Sequence, residues 1–139
     1  MDGNVIEGKA FWNWLHEPNI SSNPEWSLRI VPSEIEQQRF KKAGYKMQME
    51  QIDNKDFGLS IFIRRKVKHM DDVLERPLLF DKDKKKLELF ERLPNGSNVM
   101  VKYNEWESVL PNNKSIKGID LIAVMLLDET PSLFKGHLI

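Results

Sequence analysis

The chain has 139 residues and a mass of 16.3 kDa, enough for one domain with a sizeable core and too short for two full domains. Hydrophobic residues make up 40% and charged residues 30%, outside the ranges of disordered and membrane proteins, and the absence of cysteine excludes disulfides, thiolate metal sites and cysteine nucleophiles. The formal net charge is zero, no apolar run reaches the roughly 18 residues of a spanning helix, and Met1 to Ala10 lacks a signal-peptide layout, so the expectation is an intracellular protein.

Lys9 to His16 reads as a first strand, with Phe11 and Leu15 on one face and Trp12 and Trp14 on the other. Glu17-Pro18-Asn19 breaks it, and a second strand over Trp26 to Val31 is stopped by Pro32. Ser33-Glu34-Ile35-Glu36 has the pattern of a capping box and predicts a short helix to about Ala43, closed by Gly44. Tyr45 to Ile52 and Gly58 to Lys68 are strand candidates joined by the polar turn Asp53 to Asp56.

Leu78 to Asp81 reads as a short apolar strand. Leu87 to Leu93 leads into the turn Pro94-Asn95-Gly96-Ser97, and Val99 to Trp106 continues as a strand. Ile119 to Leu127 is apolar on both faces, as in a strand buried on both sides, and Asp128 to Ile139 has no clear pattern. Six to eight strands and one short helix predict a mostly-β domain, a small barrel or a sandwich.

Charge is unevenly distributed along the chain. Residues 1–36 carry two basic and six acidic residues, residues 37–69 nine and three, and residues 70–139 ten and twelve, for nets of −4, +6 and −2. A neutral chain with one basic segment can still present a positive groove, because exposed charges beyond about 8 to 10 Å are screened at cellular salt.

The basic segment contains Phe62-Ile63-Arg64-Arg65-Lys66-Val67-Lys68. In strand geometry Phe62, Arg64, Lys66 and Lys68 share one face, an aromatic ring beside three cations, as in proteins that stack bases and track phosphates. The competing reading is a sheet edge guarded by lysines against aggregation. Trp12 and Trp14 are either exposed stacking platforms or the core itself, depending on which face of their strand is buried. Tyr103 and Trp106 flank Lys102 in a similar interleaving, and at least one of the two rings is expected in the core.

Signals for catalysis are sparse. His16, His69 and His137 show no metal-ligand spacing, and Asp81-Lys82-Asp83 fails as a calcium loop because lysines occupy the next ligand position and the required glycine. No nucleophile elbow or phosphate-binding glycine loop is present. The carboxylates leave open a magnesium-dependent nuclease, and a β-barrel adaptor that binds protein remains a third reading.

Several segments in order resemble the OB-fold single-stranded DNA-binding proteins of bacteriophages. These are Lys9-Ala10-Phe11-Trp12 with Glu17-Pro18-Asn19, the basic strand Ser60 to Lys66, the short strand Pro77 to Asp81, the turn Asn95-Gly96-Ser97-Asn98-Val99, and Lys117-Gly118 to Leu127. The turn departs from the family pattern in beginning with Pro94, and the C-terminus lacks the acidic tail through which some members recruit replication proteins.

The resemblance implies an OB-fold-like five-stranded barrel over residues 1–128, followed by a tail of residues 129–139. It implies a non-enzymatic protein of the infected host's cytoplasm, without cofactor or metal, that protects single-stranded DNA during replication and recombination. Single-stranded DNA is the expected partner, with phage replication proteins and a homodimer as further ones and no membrane. The expected interface is Trp12, Trp14, Tyr45, Phe62 and Tyr103 for stacking, with Lys46, Arg64, Arg65, Lys66, Lys68 and Lys102 for phosphates.

Overall fold

A computed structural model describes residues 4–69 and 71–129; the C-terminal tail from residue 130 onward, including His137, lies outside the described residues. The strands are β1 (Asn4–Trp14), β2 (Glu25–Pro32), β3 (Gln48–Ile52), β4 (Lys55–Lys66), β5 (Lys68–His69), β6 (Asp72–Val73), β7 (Leu78–Phe80), β8 (Ser97–Val109) and β9 (Ser115–Leu126), and the helix α1 (Glu34–Lys42) joins β2 to β3.

Five strands close on one another in the order β1, β2, β4, β9, β8 and back to β1. All neighbours in this ring are antiparallel except β4 and β9, which meet in parallel at the single pair Arg64 and Asp120. The ring with its one helix is OB-like. Near that junction β7 pairs in parallel with Ala123 to Met125 of β9, and β3 extends the sheet from the first half of β4.

Strand alternation fills the ring. Ile6 and Ala10 of β1, Leu28 and Ile30 of β2, Ile61 and Ile63 of β4, Val99 and Val101 of β8, and Leu121 and Val124 of β9 are buried and form one cluster. β9 alternates buried with half-buried residues from Ile119 onward, close to the two-sided burial its composition predicts. Removing this apolar surface from water is the main favourable term holding the ring closed.

The helix forms where the capping pattern places it. Ser33 Oγ accepts from the Glu36 backbone N–H at 3.4 Å, acidic residues occupy the first turn and basic ones the last, and Gly44 follows at φ +91°, a conformation open to glycine. The reciprocal half of the box is absent, because the Glu36 carboxylate accepts instead from Arg39 Nε at 2.9 Å. α1 buries one residue, Phe40, against the rings of Tyr45 and Tyr103 at 5.7 and 6.1 Å.

Two expectations are corrected. Leu87 to Leu93 is not a strand: the segment is irregular and touches β7 through the Leu87 N–H to Leu79 carbonyl bond, so Asn95-Gly96 does not join a hairpin. Its turn serves β1 instead, the Asn95 Oδ1 accepting from the Trp12 N–H and the Gly96 N–H donating to the Ala10 carbonyl. Tyr45 lies in the loop after α1, outside β3, because the Gly44 cap and the contact with Phe40 hold it against the helix. Among the described residues no helix is long and apolar enough to cross a membrane.

Candidate nucleic-acid interface

The last half of β4 buries Ile61 and Ile63 in the ring, so Phe62, Arg64 and Lys66 must face outward, and all three are exposed. Phe62 is 39% exposed and lies beside Arg29 of the paired strand, whose guanidinium carbon is 5.5 Å from the ring centroid. Burial lowers the Arg29 pKa, and the Glu50 carboxylate 4.0 Å away acts in the opposite direction.

The β8–β9 hairpin extends past the ring and forms the other wall. A hollow of about 430 Å³ runs between Tyr45, Lys46, Phe62 and Arg64 on one side and Ser115 to Ile119 on the other. A second of similar volume continues it between Arg64 and Lys66 and the hairpin residues Trp106 and Ser108. A third continues past Lys66 along Val67 and Lys68 to the β1–β2 loop at Ser22 to Pro24. Arg64 lines both of the first two hollows and Lys66 both of the last two, so the three follow one another as a groove along β4.

The cations of the groove differ in how far they are already paired. Arg64 Nη1 is 3.4 Å from Glu25 Oε2. Arg65 points away from this face and is committed, with Nη1 at 2.7 Å from Asp120 Oδ2 and Nε donating to the Glu75 carbonyl at 2.6 Å. Its ion pair therefore reinforces the one point where β4 meets β9. Lys46, Lys66 and Lys68 form no ion pair among the described residues.

Tyr45 is half-buried; Lys117 Nζ sits 4.7 Å from its ring centroid, and burial together with Glu105 pushes its hydroxyl up to about 12. Tyr45 thus ties the helix end to the hairpin wall.

Sequence spacing omitted one ring of this groove. Trp106, 41% exposed, stands on β8 opposite Gly118 of β9. A Cβ on Gly118 would lie 2.5 Å from Trp106 Cζ2 and 2.8 Å from Cε2, so the indole rests on glycine backbone. The visible signal was the pairing of a tryptophan with a glycine across a hairpin, which can be read only once the register is known.

The other expected residues lie elsewhere. Tyr103 is 1% exposed in the core beside Phe40, its hydroxyl accepting from Arg39 Nη2 at 2.8 Å, so it offers no ring face to a base. Lys102 sits on β8 between Val5 of β1 and Ala123 of β9, neighbours that place it across the ring from β4. Trp14 is half-buried beside Arg92 and His16. Trp12 is 45% exposed and joined to the groove only indirectly, its indole N–H donating to Glu50 at 2.6 Å. Among the described residues no three His, Asp or Glu side chains converge as a metal site would require.

Solved structures of phage proteins superpose on this chain, among them the following. The bacteriophage T7 single-stranded DNA-binding protein gp2.5 matches over 92% of this chain and 88% of its own, with a TM-score of 0.62 and 15% identity. The single-stranded DNA-binding protein of bacteriophage Enc34, solved in complex with single-stranded DNA, matches over 91% and 85% with a TM-score of 0.62 and 13% identity. Without DNA it matches over 91% and 80% with a TM-score of 0.60 and 12% identity. The chain has the fold of phage single-stranded DNA-binding proteins. No protein-family model and no curated protein sequence matches it. The groove of this chain lies on the outer face of β4 between the β1–β2 loop and the β8–β9 hairpin.

Proposed function

We propose that this chain binds single-stranded DNA without sequence preference in the groove along β4, and that it does so non-enzymatically and without a cofactor. One observation carries the reading: exposed rings, Phe62 and Trp106, alternate with Arg64, Lys66, Lys68 and Lys46 along a row of three adjacent hollows. Every base has a π-face, so stacking on such rings tolerates any sequence, while Lys and Arg contacts to phosphates release counterions.

Stacking is worth about 1 to 3 kcal/mol per base. Arg64 must exchange Glu25 for a phosphate, so Lys46, Lys66 and Lys68 supply the larger share of the electrostatic term. Arg65 holds the groove wall in place without touching the strand. The likeness to phage proteins, one of them solved with single-stranded DNA, supports the same reading and its extension to protection of strands exposed in phage replication and recombination.

A tryptophan-quenching titration of the full chain with oligo(dT), matched duplex and matched RNA tests it. Quenching by oligo(dT) at low salt is expected, with weaker binding of duplex. No binding of any single strand would overturn the reading.

A further inference from the structure

Trp12 lines a further hollow of about 490 Å³, apart from the three along β4, whose walls include His16, Glu91, Arg92 and Asn95. A β-bulge between Phe11 and Trp14 turns Trp12 to φ +51°, a backbone conformation that bulky residues rarely adopt. Two bonds hold it there. Its backbone N–H donates to Asn95 Oδ1 at 2.8 Å and its indole N–H to the buried Glu50 at 2.6 Å. A large ring is thus fixed at the surface by a strained backbone, an arrangement that core packing does not require and that tends to occur at functional sites.

The neighbouring side chains are arranged by Trp14. The Arg92 guanidinium lies 4.0 Å from its ring centroid, and the His16 ring stacks nearly parallel to it at 5.8 Å and 16°. Arg92 forms no ion pair among the described residues, which leaves its N–H edge unspent, and His16 Nδ1 is buried without a hydrogen-bond partner. Glu91 lines the same hollow, and its carboxylate repels a phosphate but accepts from the amino and imino groups of a base. An aromatic face flanked by a planar donor and a carboxylate acceptor matches a nucleobase.

A chain of side-chain contacts runs from the hollow to the groove through the buried Glu50. Trp12 bonds Glu50, the Glu50 carboxylate stands 4.0 Å from Arg29, and Arg29 lies 5.5 Å from the Phe62 centroid. We propose that the hollow at Trp12, His16, Glu91, Arg92 and Asn95 is a nucleobase subsite for the same DNA strand, occupied once the strand extends beyond Phe62. The subsite rests on the single-strand reading of the β4 groove. Trp12 is its stacking platform, Arg92 and Glu91 contact the base edge, and Trp14 is a positioning residue.

The test is a titration of the ¹⁵N-labelled full chain with oligo(dT) of about 4 to 16 nucleotides, the range of site sizes for one such domain. The shortest oligomers are expected to shift the Trp106 indole resonance and leave that of Trp12 in place, and longer ones to shift both. Arg92→Ala should lower affinity for the longer oligomers about fivefold, the scale of a single base interaction, and leave the shortest unchanged. A Trp12 resonance that stays fixed at every length overturns the subsite, and this readout needs only the wild-type chain. Equal affinity of wild type and Arg92→Ala at every length overturns it as well. A wild-type chain that binds no oligomer overturns the groove reading itself.

Discussion

Gly118→Ala is the substitution that best separates groove geometry from fold stability. The added Cβ would approach Trp106 Cζ2 to 2.5 Å and Nε1 to 3.0 Å, against the roughly 3.5 to 4.0 Å of an unstrained contact, so the indole must move outward by about 1 Å. The fold loses little, because Trp106 is already 41% exposed and alanine in a strand regains about 0.5 to 1 kcal/mol of chain entropy relative to glycine. Stacking on a displaced ring is lost, at about 1 to 3 kcal/mol, or about 5- to 150-fold in affinity for oligo(dT). Fluorescence anisotropy gives the affinity and a thermal melt the stability. In a double-mutant cycle Gly118→Ala should cost nothing further once Trp106 is alanine. Wild-type affinity in Gly118→Ala, or an equal loss with Trp106 absent, would refute the argument.

Asp120→Asn removes the ion pair at the single β4–β9 contact and takes a carboxylate out of the lining of the second hollow, so we expect a stability loss of about 1 kcal/mol or less by thermal melt and tighter binding of oligo(dT). Phe40→Ala empties the one buried position of α1 and should cost about 3 to 5 kcal/mol in denaturant unfolding. Burial raises the pKa of both tyrosines, Tyr45 to about 12. A raised folded-state pKa contributes stability that is complete below the unfolded value of about 10 and is lost as pH rises toward 12. Phenolate absorbance should therefore appear late on alkaline titration, and Tyr45→Phe should flatten the loss of stability between those two values.

Much of the ring was legible in the sequence because its strands alternate. The period of two placed Ile61 and Ile63 inside and Phe62, Arg64 and Lys66 outside, and the Ser33 to Glu36 pattern placed the helix. Closure was not legible, since it depends on one pairing between residues 64 and 120. Arg65 shows the consequence: within β4 it reads as another basic residue, and only Asp120 makes it structural.

The same limit governed the aromatics. Alternation says that Tyr103 and Trp106 face opposite ways on β8, but Phe40 and Gly118 decide which is buried and which is exposed. The bulge that turns Trp12 outward interrupts the β1–β2 register, so period-two counting could not assign Trp12 to core or surface. Leu87 to Leu93 has the apolar content of a strand but lacks a full ladder partner, so it stays irregular chain.

The central claim is that the outer face of β4 holds the backbone of a single strand. Its most direct test is the slope of log affinity against log salt for oligo(dT), wild type against Arg64→Ala/Lys66→Ala. The wild type should show a negative slope, and the double variant should bind more weakly with a slope shallower by about 0.7 for each phosphate no longer neutralised. Salt-independent binding by the wild type, or the same affinity and slope in both proteins, would contradict it.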